Sequence, residues 1–185
     1  MYIAFKGDGG VQFADPELAY LEKLLQSIDD ILSNINLKIE NSIDPESDGL
    51  CDEGEYFIGL GFCAMQRYLV DVITDTKFKK SEILSIGPRN RNNIPISTII
   101  NAAGNYWKHS PEWGLFEKLN RQADNTISQL YTQFSDEIHH WYVLSRYVLS
   151  DVLADLSDGK ELSLRHCIPY LKEWRYAVHQ NLHEK

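Results

Sequence analysis

Residues 56–73, YFIGLGFCAMQRYLVDVI, constrain the fold more than any other stretch of this chain. Wound at the helical period, their apolar side chains cover most of the helix circumference, and a helix of this kind is buried among other helices. Gly59 and Gly61 each lower the helix propensity by about 1 kcal/mol relative to alanine, but without side chains they let a neighbouring helix come close. The stretch therefore predicts a central buried helix that ends near Thr76, with other helices packed around it.

An amphipathic helix is predicted before this central helix. Asp15, Pro16 and Glu17 indicate a helix start, because a capping side chain, a proline at the first position and an acid follow one another. Apolar residues then recur three and four residues apart as far as about Asn36, namely Leu18, Leu21, Leu25, Ile28, Leu32 and Ile35. One core-packed helix is the favoured interpretation. A coiled-coil seam between two protomers is the alternative, and it would make the protein a homodimer.

The rest of the chain completes an all-α fold in a single domain spanning residues 1–185. Further helices are predicted at 95–109, at 136–156 and from 162 onward, where Pro169 restarts or kinks the last helix, and one or two short helices are predicted within 115–135. The predicted architecture is an orthogonal or up-and-down bundle of about five to seven helices around the central one.

Two segments are predicted to lie outside the helices. Residues 1–14 are the one candidate β element, either a short N-terminal hairpin around GDGG or an extended arm. Residues 40–54 are polar, acidic and rich in turn formers, so we expect a solvated loop. Their acids lack the spacing and central glycine of a calcium-binding loop.

Composition and charge narrow the possible functions. The chain has 185 residues, a formal net charge of −9 and a pI of about 5.1, which disfavours binding to nucleic acid or an anionic membrane. No apolar run approaches the roughly 20 residues of a membrane span, and the N-terminus lacks the layout of a signal peptide. Three widely spaced cysteines are typical of reduced thiols in a cytoplasmic protein. Neither a metal nor a cofactor is predicted.

The connector at 77–94 is the strongly positive stretch of this acidic chain. It carries three lysines and then the sequence GPRNRNN, with Arg89 and Arg91. A solvated loop is the usual meaning of such a charge run. The functional alternative is a loop that closes over an anionic ligand, with both arginines as candidate ligand-binding residues.

The helix predicted at 95–109 carries the most informative polar residues. Asn101, Asn105 and Lys108 follow one another at helical spacing opposite the apolar face, with His109 beside them. Amides and an ammonium group bind phosphate or carboxylate, and an imidazole moves protons near neutral pH. We therefore expect these four residues to form an outward-facing ligand site, with a plain solvated surface as the alternative.

The end of this helix carries a short sequence resemblance. Residues 101–113 read NAAGNYWKHSPEW, which resembles an A-x-N-Y-x-K-H-x-x-E-W pattern of small, uncharacterised helical proteins of bacteria. The resemblance implies a helical bacterial protein. It brings no activity and no functional residues to this chain.

A second group of polar residues lies in the predicted helix at 136–156. Glu137 and His140 form one E-x-x-H step, but a di-metal bundle needs a second one, which the sequence lacks. His139 and Arg146 lie on one side of the helix, and an Arg/His pair in a helical domain is similar to ribonucleases of the HEPN class. In that class the arginine precedes the histidine, and here the order is reversed.

The sequence thus leaves two functional interpretations. The favoured one is a non-enzymatic helical protein that binds a small anionic ligand or a protein partner, with its site between the 95–109 helix and the 77–94 connector. The alternative is an RNA- or nucleotide-directed hydrolase that uses either Lys108 with His109 or His139 with Arg146.

Overall fold

The computed structural model describes residues 3–7, 10–74, 76–113, 121–131, 147–158 and 162–183. Helices dominate these residues and a two-stranded antiparallel hairpin precedes them, so the prediction of an all-α bundle with an N-terminal hairpin is confirmed. The elements are β1 (Ile3–Gly7), β2 (Gly10–Ala14), α1 (Pro16–Asn41), α2 (Leu50–Thr74), α3 (Lys80–Leu84), α4 (Ile96–His109), α5 (Arg121–Tyr131), α6 (Val148–Leu156) and α7 (Ile168–His183). Two 3-10 turns, Ser110–Glu112 and Leu164–Cys167, follow α4 and precede α7.

Helices α1 and α2 form a long helical hairpin. α1 begins where the sequence predicts it, because the Leu18 amide donates to Asp15 Oδ1 at 3.0 Å and a proline occupies the first turn. It continues to Asn41, beyond the predicted end near Asn36. α2 begins at Leu50, so the loop predicted at 40–54 is reduced to residues 42–49. Acidic residues in the first turn of α2 favour this earlier start, because they complement the helix dipole.

Helix α2 packs against the rest of the bundle along one side only. It contacts α1, α4 and α6, and Phe62, Met65 and Leu69 are completely buried there. Tyr56 and Leu60 are exposed on its opposite side, so α2 is not enclosed all round. Within the described part of the chain α2 alone is long and apolar enough to cross a membrane, and half of its most apolar window is buried inside the protein. That burial is what a core helix of a soluble protein shows.

The connector at 77–94 is more ordered than the sequence predicts. It contains the short helix α3, whose Ile83 and Leu84 are buried. The indole Nε1 of Trp174 on α7 donates to the carbonyl of Ile83 at 3.1 Å, which joins the connector to the last helix. A helix of this length has too few turns to show an apolar period, so the sequence pattern did not reveal it.

A partly buried carboxylate on α2 holds the start of α6. Glu55 accepts hydrogen bonds from the amide of Leu149 at 2.7 Å and from the amide and hydroxyl of Ser150 at 2.9 and 2.7 Å. These amides belong to the first turn of α6, where backbone donors lack partners within the helix. Burial raises the pKa of Glu55, although the three donors act in the opposite direction.

The N-terminal hairpin packs on α7. The ring of Phe13 in β2 meets Tyr176 and His179 edge to face, with ring centroids 6.3 and 5.4 Å apart. The guanidinium of Arg175 lies 4.3 Å from the centroid of the same ring. An isolated hairpin is marginally stable in water, and this aromatic contact gives it a surface to pack on.

We expect the same substitution to have opposite effects at two glycines of α2. A Cβ at Gly61 would overlap the buried side chain of Leu164, whereas at Gly54 the nearest atom, Ile35 Cγ2, would lie 3.9 Å away. Gly61→Ala should therefore lower the free energy of unfolding by about 1–3 kcal/mol through overpacking. Gly54→Ala should raise it by about 0.5–1 kcal/mol, because alanine favours the helix. Urea unfolding of both variants measures the difference, and equal signs would contradict this packing.

Candidate functional site

The polar stripe of α4 faces α2 rather than solvent over its first part. Asn101 is only 8% exposed and Asn105 is half-buried, while Lys108 is exposed. The prediction of an outward-facing polar stripe was therefore wrong at Asn101. The reason is that α2 presents a polar partner, Gln66, at this point of an otherwise apolar contact. Gly104 allows the close approach, since a Cβ there would lie 2.9 Å from the Oε1 atom of Gln66.

The side-chain amide of Gln66 fixes the orientation of both asparagines. Its Nε2 donates to Oδ1 of Asn101 at 3.1 Å and to Oδ1 of Asn105 at 2.8 Å, as well as to the Asn101 carbonyl at 2.9 Å. Because both Oδ1 atoms are used as acceptors, each asparagine turns its Nδ2 donors away from Gln66. Neither Nδ2 group is buried without a partner, and no acceptor for either occurs among the described residues. Asn105, which is half-buried, can reach solvent through this group, whereas Asn101 exposes only 8% of its surface.

Two lysines bring positive charge to this end of the α4 stripe. Lys108 lies one helical turn beyond Asn105 on the same stripe of α4. Lys80, at the start of α3, is close enough to Lys108 that burial and then the positive charge of Lys108 lower the pKa of Lys80. In the part of the chain that the structure describes, neither ammonium group forms an ion pair. Among the described residues, this positive charge therefore has no ion-pair partner.

A cysteine thiol lies at the edge of this group. Cys63 on α2 donates its S–H to the carbonyl of Gly104 at 3.4 Å. Burial raises the pKa of the Cys63 thiol, and the nearby charge of Lys108 opposes that effect. Cys63 is partly exposed, so its chemical labelling can report on events at Lys108.

His109 ends α4 next to Lys108. Its Nδ1 lies 3.4 Å from Oε1 of Glu112 in the following 3-10 turn, and the His109 side chain is partly exposed while that of Glu112 is largely exposed. An imidazole at the C-terminal end of a helix is stabilised by the helix dipole when it is protonated. The catalytic role that the sequence suggests for Lys108 and His109 stays a prediction.

Arg89 and Arg91 are used within the connector itself. The guanidinium of Arg89 donates to the carbonyls of Asn93 at 2.7 Å and Ser85 at 3.1 Å. Arg91 forms an ion pair of 2.8 Å with Asp155 on α6, whose side chain is buried. Among the described residues, no contact joins either arginine to the α4 stripe, so a shared ligand site would require them to leave these partners.

The second group of sequence candidates cannot be placed. Glu137, His139, His140 and Arg146 lie outside the described residues. Over the ranges that the structure does describe, no group of three or more His, Cys, Asp or Glu side chains is arranged to hold a metal ion.

In the acidic loop at 42–49, Asp44 accepts from the amide of Ser47 at 3.1 Å, as in an ordinary turn.

Sequence reasoning missed Gln66, Lys80 and Cys63. Gln66 had a detectable signal, because it is a polar residue that interrupts the most apolar face of α2. Lys80 is one of the three lysines of the positive connector, but its approach to Lys108 depends on how the connector folds back on α4, which the sequence does not show.

Comparisons of the chain with protein-family models, with curated proteins and with solved structures found no match.

Proposed function

We propose that this chain is a soluble, cytoplasmic binding protein that recognises the anionic group, a phosphate or a carboxylate, of a small ligand. The site comprises Asn101, Asn105 and Lys108 on α4, together with Lys80 on α3. The observation that supports it best is the pair of hydrogen bonds from Gln66, which engage the Oδ1 atoms of both asparagines and turn their Nδ2 groups away from Gln66. His109 lies at the edge of this site.

The chemistry of the site favours an anion over a neutral ligand. Carboxylate and phosphate oxygens accept hydrogen bonds from amide and ammonium donors, and charge-assisted bonds of this kind are about twice as strong as neutral ones. Donors that are already held in place by Gln66 lose little side-chain entropy when a ligand binds. The chain as a whole is acidic, with a formal net charge of −9, so the local positive charge also distinguishes this surface from the rest.

Lys108→Gln tests the proposal. Titration of the protein with inorganic phosphate and with pyrophosphate, followed by amide chemical shifts, should show binding at α4 and α3. Loss of one charge-assisted hydrogen bond costs about 1.5–3 kcal/mol, so the affinity of the variant should fall at least about tenfold. Binding should also change the rate at which Cys63 reacts with iodoacetamide, because the thiol lies beside Lys108.

Lys38→Gln is the matched control. It removes the same charge from α1, where Lys38 lies 4.0 Å from Glu53. An equal loss of affinity in both variants would mean that only net charge matters, and absence of any shift at α4 would refute the proposed site. Hydrolysis of pyrophosphate or of a nucleotide that Lys108→Gln and His109→Ala both abolish would instead favour the hydrolase interpretation.

A further inference from the structure

An apolar face lies on the outside of the α1–α2 hairpin. Five large apolar side chains, between 36% and 62% exposed, form this face, namely Tyr20, Leu24 and Ile31 on α1 with Tyr56 and Leu60 on α2. Helix α6 begins on another side of α2, because Glu55, which holds its first turn, lies about 140° around the helix from Leu60. In the part of the chain that the structure describes, the face is therefore open to solvent.

The size of the face suits the centre of a protein interface. The exposed parts of its five side chains amount to rather more than two complete large apolar residues, or about 400–500 Å² in total. A standard interface buries about 800 Å² on each partner, and somewhat more than half of that area is apolar. The face thus supplies the apolar part of one standard interface, and charged residues around it supply the rim.

The exposed stripe of α2 is complementary to itself about Leu60. When a helix packs antiparallel on a copy of itself, a residue before the centre meets the residue equally far after it. Tyr56, four residues before Leu60, then meets Ala64, four residues after it, so a large ring lies against a small side chain. Glu53 and Arg67, each two turns from Leu60, then form a pair of opposite charges with side chains 42% and 78% exposed.

Helix α1 repeats this symmetry along its exposed stripe. In an antiparallel contact of two α1 helices centred at residues 27–28, Leu24 meets Ile31 of the partner subunit. The same centre places Glu17 opposite Lys38 of the partner subunit, again a pair of opposite charges. This face differs from the coiled-coil seam that the sequence allowed as an alternative, because the six apolar residues of that seam are buried inside the protomer.

The ion pairs within the protomer leave these charged residues free to join a network. Arg67 lies 2.9 Å from Asp71 on the same helix, and Lys38 lies 4.0 Å from Glu53. Exposed pairs of this kind contribute little to stability. In a dimer Arg67 and Lys38 each gain a second acid, on the partner subunit, without losing the first.

A single twofold axis satisfies both helices. Leu24 and Ala64 line the same groove and the two helices run antiparallel, so residues 27–28 of α1 lie beside Leu60 of α2. We propose that this chain forms a homodimer through the face, with α1 antiparallel to the partner's α1, α2 antiparallel to the partner's α2, and the axis passing near Leu60. The four helices would then form one bundle across the interface.

Leu60→Glu tests the position of the axis. Sedimentation of the native protein from about 1 to about 500 μM should show the mass rising from 21.3 kDa toward twice that value. Leu60→Glu places two like charges together at the axis, so it should raise the dimer dissociation constant at least about a hundredfold. Ile43→Glu is the matched control, because Ile43 is fully exposed in the 42–49 loop, away from the face. Circular dichroism checks that both variants fold.

An exchange of charges tests the antiparallel arrangement. Arg67→Glu and Glu53→Arg should each weaken the dimer about tenfold, and the variant that carries both should recover most of the affinity. Lys108→Gln should leave the mass unchanged, so this inference and the proposed anion site can fail separately. A mass of 21.3 kDa at every concentration, equal effects of Leu60→Glu and Ile43→Glu, or no recovery in the exchanged variant would each overturn the inference.

Discussion

Replacing Asp15 by alanine is expected to lower the free energy of unfolding by about 3–5 kcal/mol, because it leaves a buried guanidinium without its counter-charge. The Asp15 carboxylate joins three parts of the fold. Its Oδ1 caps α1, and its Oδ2 accepts from the Tyr68 hydroxyl on α2 at 2.7 Å and from Arg175 on α7 at 2.6 Å. The side chains of Asp15 and Arg175 are only 4% and 10% exposed. Urea unfolding monitored by circular dichroism measures the loss.

A double-mutant cycle separates the ion pair from the helix cap. Asp15→Asn keeps a good capping residue but replaces the oxygen that accepts from Arg175 and Tyr68, so the ion pair and the tyrosine hydrogen bond are lost while the cap is kept. In the double variant, Asp15→Asn with Arg175→Met, no charge remains buried and unpaired. Its free energy of unfolding should therefore be higher than the value obtained by adding the two single effects. We expect a coupling energy of about 1–3 kcal/mol. Additive effects would show that Asp15 and Arg175 do not interact in solution.

The contribution of Asp15 should disappear in acid. Burial alone would raise the pKa of Asp15, but hydrogen bonds from Leu18, Tyr68 and Arg175 together hold it below its usual value of 3.8. For a carboxyl with a depressed folded-state pKa, the added stability is present above the unfolded pKa and is lost as the pH falls through the folded one. The stability difference between native protein and Asp15→Asn should thus be full at about pH 7 and small at about pH 2.

The helices of this fold could be predicted where apolar residues repeat over several turns. The leucine and isoleucine positions of α1 predicted a buried face, and Leu25, Ile28 and Ile35 are all buried. Arg67 and Asp71, four residues apart on α2, likewise form an ion pair of 2.9 Å. Such features depend on neighbours within one helix, and the helical period is sufficient to find them. The start of α2 was placed too late because its first turn is polar.

The candidate site was only partly predictable, because its geometry depends on contacts between distant segments. The sequence placed Asn101, Asn105 and Lys108 on one stripe, and the structure keeps them there. It could not show that Gln66 faces two of them or that Lys80 approaches the third. Polar residues of a helix can be buried at little free-energy cost when a polar side chain of the neighbouring helix forms hydrogen bonds with them. Their spacing in the sequence is the same as on a solvated face, so the spacing alone does not distinguish the two cases.

Asp29→Ala is expected to be the second most damaging of these substitutions, at about 3 kcal/mol. Asp29 lies in the middle of α1 and is 6% exposed. Its carboxylate accepts from the Ser163 hydroxyl at 2.6 Å, from the Leu164 amide at 2.8 Å and from Arg165 Nε at 3.2 Å. It thereby caps the 3-10 turn that leads into α7. Without it, the buried amide of Leu164 loses its acceptor.

Asp30→Ala is the matched control for this substitution, since it removes the neighbouring carboxylate from the exposed side of the same helix. We expect it to change the free energy of unfolding by no more than about 0.5 kcal/mol. Native-state hydrogen exchange adds a local readout, because the Leu164 amide should exchange faster in Asp29→Ala and not in Asp30→Ala. Asp29→Asn retains one acceptor oxygen and should fall between them. Equal stability of Asp29→Ala and Asp30→Ala would mean that the 3-10 turn does not depend on α1. Contacts other than those of Asp29 would then have to hold the start of α7.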